Sequence, residues 1–319
     1  MKQMTFADAE YVGKLKQTRK ELFLIEMDQV VLWKGLIALI KPHYPKGEGG
    51  RPVSSLMAML RVHMLKNWLG YSDPAMEEAL YEITILRQFA GLSLERIPDE
   101  TTILNFRCLQ EKHELAAGIL AVINDRGFSQ RQGTIVDAPL IHSPSLARNQ
   151  DGKCDLDMYQ MKKGNLYYFG MKAPTGVDAE SGLVHSVAGT AANVADVTHR
   201  PAAAWRREGG AYRCWLYRGG EAARARRKSS QIAVRLSTYK KHGKRGLLYP
   251  MKRKLERAKA QSCAKVEHPF RVIKRQFGYT QVRFRGLAKN TAQLVALFAL
   301  SNLWMARRQL LWSAGEVCL

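Results

Sequence analysis

The sequence predicts an α/β protein, with a helical N-terminal region at residues 1–125 and a mixed region of strands and helices at residues 126–319. Three observations support this prediction. Apolar residues recur at helical spacing in the N-terminal third, an apolar strand-like run lies at residues 133–136, and helical patterning returns from about residue 251. With 319 residues and 46% hydrophobic content, the chain can bury one large core or two domains of ordinary size.

The N-terminal helices are indicated by residue spacing and by residues typical of helix starts. Four apolar residues at three-and-four spacing predict the apolar face of an amphipathic helix: Met57, Leu60, Met64 and Trp68. A second helix is predicted with Asp73 as its N-cap and Pro74 at the first helical position, where the missing N–H costs nothing. Residues 98–100 predict a third helix start of the same kind.

After a polar link at residues 124–132, the patterning becomes strand-like. The apolar run at residues 133–136 predicts a buried strand that places the carboxylate of Asp137 at its end. Residues 165–172 and 183–187 are also predicted strands. Residues 176–182 join them, and the glycines and acidic residues of this link suit a hairpin.

The chain is strongly basic, with a net charge of +22. This charge favours a polyanionic partner, because each neutralised phosphate releases a condensed counterion; the alternative is a soluble protein that is merely basic. Residues 200–230 contribute part of the excess, with nine basic residues against Glu208 and Glu221, and they show neither helical nor strand periodicity. The rest of the chain is still basic.

Cysteine usage and hydropathy predict a cytoplasmic protein. The five cysteines are odd in number and far apart, without a Cys-x-x-Cys pair, which favours a reducing compartment and no structural zinc. The N-terminus lacks an apolar core of signal-peptide length. The longest uncharged apolar run, residues 291–306, is shorter than the roughly 20 residues that span a bilayer, so we expect a buried helix rather than a membrane anchor.

Several motifs in a fixed order carry a family resemblance. They are residues 133–138 around Asp137, residues 162–172, residues 189–196 and residues 266–274 around Glu267. Together with residues 69–106, they resemble the IS-five family of bacterial insertion-sequence transposases, within the IS-four superfamily. The match spans nearly the whole chain outside residues 200–230 and is more specific than any single short motif.

The resemblance implies a ribonuclease H-like catalytic domain, a mixed sheet with flanking helices, that cuts and joins DNA as an Asp-Asp-Glu transposase. It implies that Asp137 and Glu267 are catalytic residues and ligands of two Mg²⁺ or Mn²⁺ ions, since hard cations prefer carboxylate oxygens. The implied partners are double-stranded terminal inverted repeats and target DNA. A homo-oligomer on DNA and nucleoid association are also implied.

Two cations follow Glu267 at helical spacing. Arg271 and Lys274 lie four and seven residues after it, so on a continuous helix all three share one face, where the cations are predicted to bind DNA phosphates. From the residues alone, Asp137 could be a turn former at a strand end, and Glu267 with Arg271 could be a surface ion pair. The family context favours the catalytic interpretation. His142 and His268 are interpreted as structural or DNA-facing residues.

The sequence departs from the family at the second Asp, which the family carries as Asp-Ala-Gly-Tyr followed by a small residue and Gly. The aligned stretch begins at Arg213 and ends at Gly219. Codons that can encode this stretch would, if translated one base out of frame, encode Asp-Ala-Gly-Tyr-Thr-Gly. We infer compensating frameshifts near Arg200 and Ser230, either real lesions or sequencing errors; the alternative is a genuine lineage-specific loop.

This departure bears on both folding and activity. Because burial would leave its charges without water, the Arg-rich segment is expected to be excluded from the core as a loop or to be disordered. Asp196 is a further acidic candidate, but it follows the motif that precedes the second catalytic strand and is left out of the triad. The superfamily pattern also has Tyr and Arg where this chain has Ala260 and Cys263.

Three functions remain open on the sequence. The first is a transposase that is catalytically impaired in this copy. The second is an inactive DNA-binding protein that occupies element ends, and the third is a structure-selective nuclease of the ribonuclease H-like type.

Overall fold

A computed structural model describes residues 16–46, 53–125, 134–144, 155–163, 165–194, 211–212, 231–232, 253–254, 257 and 264–313. The chain forms two compact units. The first comprises Met1–Ile123, Gln276–Gly278 and Ala299–Leu319, and the second comprises Asn124–Arg275 and Tyr279–Phe298. The predicted α/β class is confirmed, because a helical N-terminal region precedes a region that contains the sheets.

The first unit begins with seven described helices, which are α1 (Arg19–Val30), α2 (Trp33–Ile40), α3 (Leu56–Leu69), α4 (Asp73–Glu82), α5 (Thr84–Ala90), α6 (Glu100–Lys112) and α7 (Leu115–Asn124). Asn124 itself belongs to the second unit. Helix α3 is central: residues 58–60 and 62–68 are all buried. The amphipathic interpretation of α3 was therefore wrong, because neighbouring helices cover more than the predicted apolar face.

Side-chain caps fix where these helices start. The Ser55 hydroxyl accepts a hydrogen bond from Ala58 N at 3.1 Å at the start of α3. At α4 the N-cap is Ser72, which accepts from Ala75 N at 3.3 Å, and not Asp73 as predicted. Asp73 is instead the first helical residue, where its charge favours the positive end of the helix dipole. Asp99 caps α6 and accepts from Thr102 N at 3.0 Å.

Polar groups are buried inside the first unit. Asp73 forms an ion pair with Lys66, and its other oxygen lies 3.8 Å from Arg107 Nε. His63 is also buried, and Asn67 Nδ2 donates to its backbone carbonyl at 2.8 Å. Burial, with the nearby charges of Lys66 and Arg107, lowers the pKa of His63 to about 3. The imidazole is therefore neutral near pH 7.

The main sheet of the second unit has five described strands, which are β1 (Thr134–Asp137), β5 (Thr175–Asp178), β6 (Val184–Val187), β8 (Ala211–Tyr212) and β9 (Gln231–Ile232). Their order across the sheet is β6-β5-β1-β8-β9. Strand β5 pairs antiparallel with both β1 and β6, whereas β8 and β9 run parallel to β1. Strand β1 is therefore central and has a neighbour on each edge.

A second sheet contains β2 (Leu140–His142), β3 (Tyr159–Lys163), β4 (Leu166–Lys172) and β7 (Thr190–Ala191). Strand β4 pairs with the other three, all antiparallel. The predicted hairpin joining residues 165–172 to 183–187 was therefore wrong. Pro174 separates β4 from β5, and it is β5 that forms the hairpin with β6 in the main sheet.

Helices return in the C-terminal part as predicted, although among the described residues 277–286 are not helical. Helical residues 264–271 form α8, a π-helix follows at Val272–Gln276, and α9 spans Leu287–Ser313. The Phe270 and Phe298 rings pack edge to face with centroids 4.8 Å apart, which joins α8 to α9 within the second unit. The predicted buried helix at residues 291–306 lies within α9. No helix in the described part of the chain is both long and apolar enough to cross a membrane.

Candidate catalytic site

Asp137 is the last residue of β1, at the end predicted from the sequence. It is paired with Thr175 of β5 across the antiparallel ladder. Its side chain is half-buried, and Oδ1 accepts a hydrogen bond from Ala138 N at 3.0 Å. Ile135, two residues earlier, is fully buried. The core therefore anchors the strand, while the carboxylate lies at the partly exposed end of the sheet.

The other neighbour of β1 is β8, and its register bears on the missing carboxylate. Ile135 is paired with Ala211, and Val136 with Tyr212, in parallel. The next residues along the two strands are Asp137 and Arg213, and Arg213 lies outside the described residues. Carboxyl ends of parallel strands meet at one edge of a sheet, so the carboxyl end of β8 lies at the same edge as Asp137.

Strand β8 also corrects an expectation about residues 200–230. Their composition predicted neither strand nor burial, yet residues 211 and 212 pair with β1 on one edge and with β9 on the other. The prediction of an expelled loop is wrong at these two residues, which carry no charge and so cost little to place inside a sheet. The rest of the segment lies outside the described residues.

Glu267 is exposed on α8. Val266 and Phe270, at 0% and 7% exposure, form the buried face of the same helix. Lys265 Nζ donates to Ala179 O at 2.7 Å and to Glu180 O at 3.2 Å. These contacts tie α8 to the turn between β5 and β6.

That turn lies away from the predicted site. It follows Asp178, which pairs with Thr134 at the opposite end of β1 from Asp137. The side chain that anchors α8 therefore contacts the far end of the sheet, while Glu267 lies two residues further along the helix and points away from its buried face.

The helix containing Glu267 changes its pitch before Lys274. Residues 264–271 are α-helical, so Glu267 and Arg271 share an exposed face, as predicted. Lys274 lies within the π-helix Val272–Gln276 and is only half-exposed. A π-turn contains more residues than an α-turn, so the predicted common face of all three residues does not extend to Lys274. The assignment of Arg271 and Lys274 to DNA phosphates stays a prediction.

Asp178 is a buried carboxylate that the sequence assigned to a hairpin turn. It is 1% exposed and ends β5. Its Oδ2 accepts from Ser181 N at 2.8 Å and from Ser181 Oγ at 2.7 Å, which closes the turn before β6. Because it lies at the Thr134 end of β1, it is at the opposite end of the strand from Asp137.

The remaining candidates are two described histidines and several residues beyond the described part of the chain. His142 ends β2, and its ring centroid lies 5.2 Å from that of Tyr168. His268 is exposed on α8. Asp196, Ala260, Cys263 and the stretch from Arg213 to Gly219 lie outside the described residues. Within the described ranges, no group of three or more His, Cys, Asp or Glu side chains could hold a metal ion.

Comparison with known families gives two matches. A family described as "Transposase DDE domain" matches residues 128–303, which is more than half of the chain. A second, described as "Transposase domain (DUF772)", matches residues 13–109. No solved structure matches the chain. The two matched ranges cover the helical N-terminal region and the region that contains both sheets.

Proposed function

The chain belongs to the transposase DDE domain family, and from this we propose that it is an insertion-sequence transposase of the Asp-Asp-Glu type, with catalysis impaired in this copy. We assign it to the IS-five family on the motifs around Asp137 and Glu267. Its substrates are the terminal inverted repeats of an element and a target duplex. The net charge of +22 supports a polyanionic substrate.

The strand order supports a ribonuclease H-like core. Strands β6, β5 and β1 are antiparallel, and the sheet continues from β1 to β8 and β9, which run parallel to it. Asp137 is the last residue of the central strand β1. In this arrangement, residues that are distant in sequence lie at adjacent strand ends, where their side chains can form one site. The parallel pairing of β1 with β8 is the observation that carries the proposal.

The described residues do not complete a two-metal site. Asp137 and Glu267 offer the carboxylate ligands that Mg²⁺ or Mn²⁺ prefers, but among the described residues no group of three or more His, Cys, Asp or Glu side chains could hold a metal ion. We propose that the position of the absent ligand is 213, where a guanidinium replaces a carboxylate. A cation there repels divalent ions instead of binding them, so no catalytic step is assigned to the chain as written.

A second candidate function is a DNA-binding protein that occupies element ends without cutting them. Two features of the sequence favour this function. Arg213 stands where catalysis would need a carboxylate, and the rest of the chain remains strongly basic, which favours DNA binding. Such a protein would compete with intact copies for the ends and repress their transposition. Binding and cutting therefore need separate assays.

The first test is equilibrium binding of the full chain to terminal-repeat DNA and to a scrambled duplex of the same length. We expect tighter binding to the repeat, with affinity falling steeply as salt rises. Equal affinity for both duplexes would reduce the protein to a nonspecific basic binder and would contradict end recognition. Co-expression with an intact copy then tests the second function, because a competing binder lowers the transposition frequency.

A further inference from the structure

Strands β3 and β4 form a two-stranded ribbon, residues 159–163 and 165–169, whose outer part extends beyond the pairing with β2 and β7. Strand β2 pairs with β4 only as far as His142 and Gly170, and β7 pairs with Met171 and Lys172. In the described ranges, residues 166–168 of β4 pair with β3 alone. The ribbon therefore projects from the sheet, and it ends at the turn around residue 165.

The base of this ribbon is fixed at two places. Gly170 has φ 155°, and a Cβ atom there would lie 2.1 Å from Ile141 O, so β2 packs against a position that only glycine can occupy. Before β3, Asp155 Oδ2 accepts from Gly286 N at 2.7 Å, and Asp157 Oδ2 accepts from Leu287 N at 3.0 Å. These two carboxylates lie at the N-terminus of α9, where the helix dipole favours negative charge.

The ribbon exposes aromatic, apolar and cationic side chains together. Tyr167 is 66% exposed, Leu166 63% and Tyr159 47%. Lys162 is paired across the ribbon with Tyr167, and its Nζ lies 5.4 Å from the Tyr167 ring centroid. Residues 159–169 contain two lysines and no acidic residue. The surface is thus cationic, and its large side chains have little cover.

We propose that the ribbon of residues 159–169 is a docking surface for duplex DNA, an inference that rests on the proposed function and gives it a site. The major groove of DNA is wide enough to admit a two-stranded β-ribbon. Lysine and tyrosine side chains are common donors to phosphate and sugar oxygens, which position a protein on a duplex. Because the base is held by Gly170 and by the start of α9, the ribbon is pre-organised and loses little entropy on binding.

Charge complementarity favours DNA over a second copy of the chain as the partner that binds the ribbon. Two copies would bring two cationic ribbons, each on a chain of net charge +22, into contact, and like charges oppose that association. A duplex offers the complementary charge. DNA is therefore the occupant that fits the ribbon.

The test compares binding of the full chain and its variants to a random-sequence duplex across a salt series. Lys162→Glu should weaken binding about tenfold and make the slope of log K against log salt shallower by about 1, as expected for one lost phosphate contact. Tyr167→Ala should weaken binding severalfold with little change in slope. The matched control is Lys289→Glu, which makes the same charge change on an exposed residue of α9 and should leave the slope within error of wild type.

The outcomes separate this inference from the proposed function. If wild type binds the duplex and both ribbon variants bind it equally well, the ribbon is not the docking surface, and the proposed function stands. The same holds if the variants lose self-association in sedimentation equilibrium at unchanged DNA affinity. If wild type binds no duplex at all, the proposed function itself fails. Lys162→Gln provides a milder variant should the charge reversal disturb folding.

Discussion

Val136 and Tyr212 are paired in parallel on adjacent strands of the five-stranded sheet. The residue that follows Val136 is Asp137, and the residue that follows Tyr212 is Arg213. In the IS-five family, which the chain resembles, the residue aligned with Arg213 is an Asp. The pairing therefore suggests a specific hypothesis, in which the guanidinium of Arg213 replaces a carboxylate that catalysis needs beside Asp137.

Replacing Gly170 with alanine should destabilise the second unit. The new Cβ would meet the backbone oxygen of Ile141 at 2.1 Å, and backbone atoms cannot move aside as a flexible side chain can. We expect a loss of about 3 kcal/mol in the free energy of unfolding. The control is Gly91→Ala, where φ is 67° but no atom lies within 4 Å of the added Cβ, so only the left-handed conformation costs about 1 kcal/mol. Equal losses in urea unfolding would contradict the close approach of β2 to β4.

His63 should make the first unit less stable in acid. Its pKa is about 3 in the folded chain and about 6.5 when unfolded, so between these values the unfolded chain binds the extra proton. Stability should therefore fall as pH drops below 6.5, by about 1.4 kcal/mol per unit well below that value, until pH 3. Carboxylates also titrate in this range, so the measured quantity is the difference from His63→Phe. A variant with the same pH slope as wild type would show that His63 is accessible to protons.

Asp73→Asn should destabilise the first unit through the cations it leaves behind. The Lys66 and Arg107 side chains are only 7% and 11% exposed, and each loses one nearby negative charge, although Arg107 keeps its ion pair with Glu111 at 2.5 Å. We expect a cost of about 3 kcal/mol. Glu26→Gln is the matched control, because the Glu26 and Arg307 side chains are 32% and 18% exposed, and loss of that pair should cost less than about 1 kcal/mol. A reversed order of the two losses in thermal unfolding would argue against the buried pair.

Two tyrosine-to-phenylalanine changes should affect stability differently. Tyr279 is buried, and its hydroxyl has no hydrogen-bond partner among the described residues, so Tyr279→Phe should leave stability unchanged or raise it by about 1 kcal/mol. The Tyr44 hydroxyl donates to Ser54 O at 2.7 Å, so Tyr44→Phe should lower stability by about 1 kcal/mol. Chemical denaturation of both variants measures the difference. A loss at Tyr279 as large as that at Tyr44 would indicate that its hydroxyl is satisfied.

The sequence predicted the elements whose signals are local. The apolar run before Asp137 and the cap at Asp99 were sufficient for a strand end and a helix start. The partner of β6 was missed because the prediction did not take account of Pro174, which separates β4 from β5. The π-helix containing Lys274 was missed because apolar periodicity does not distinguish an α-turn from a π-turn.

Strand β8 was hidden for a different reason. Residues 211 and 212 are placed by pairing with strands on both sides, not by their own composition, and an Arg-rich context concealed two uncharged residues. Sequence reasoning therefore identified Asp137 and the departure at Arg213 separately. Only the register of β1 and β8 relates the two.

Metal-dependent cleavage of element ends, measured on the chain as written and on a chain with the reading frame restored between Arg200 and Ser230, tests the central claim most directly. The chain as written should bind ends without cutting them. The repaired chain, with Asp in place of Arg213, should cut in Mg²⁺ or Mn²⁺, and Asp137→Asn or Glu267→Gln in that background should abolish cutting. Robust cleavage by the unrepaired chain would contradict the account and would make Asp196 the first residue to test as the third carboxylate.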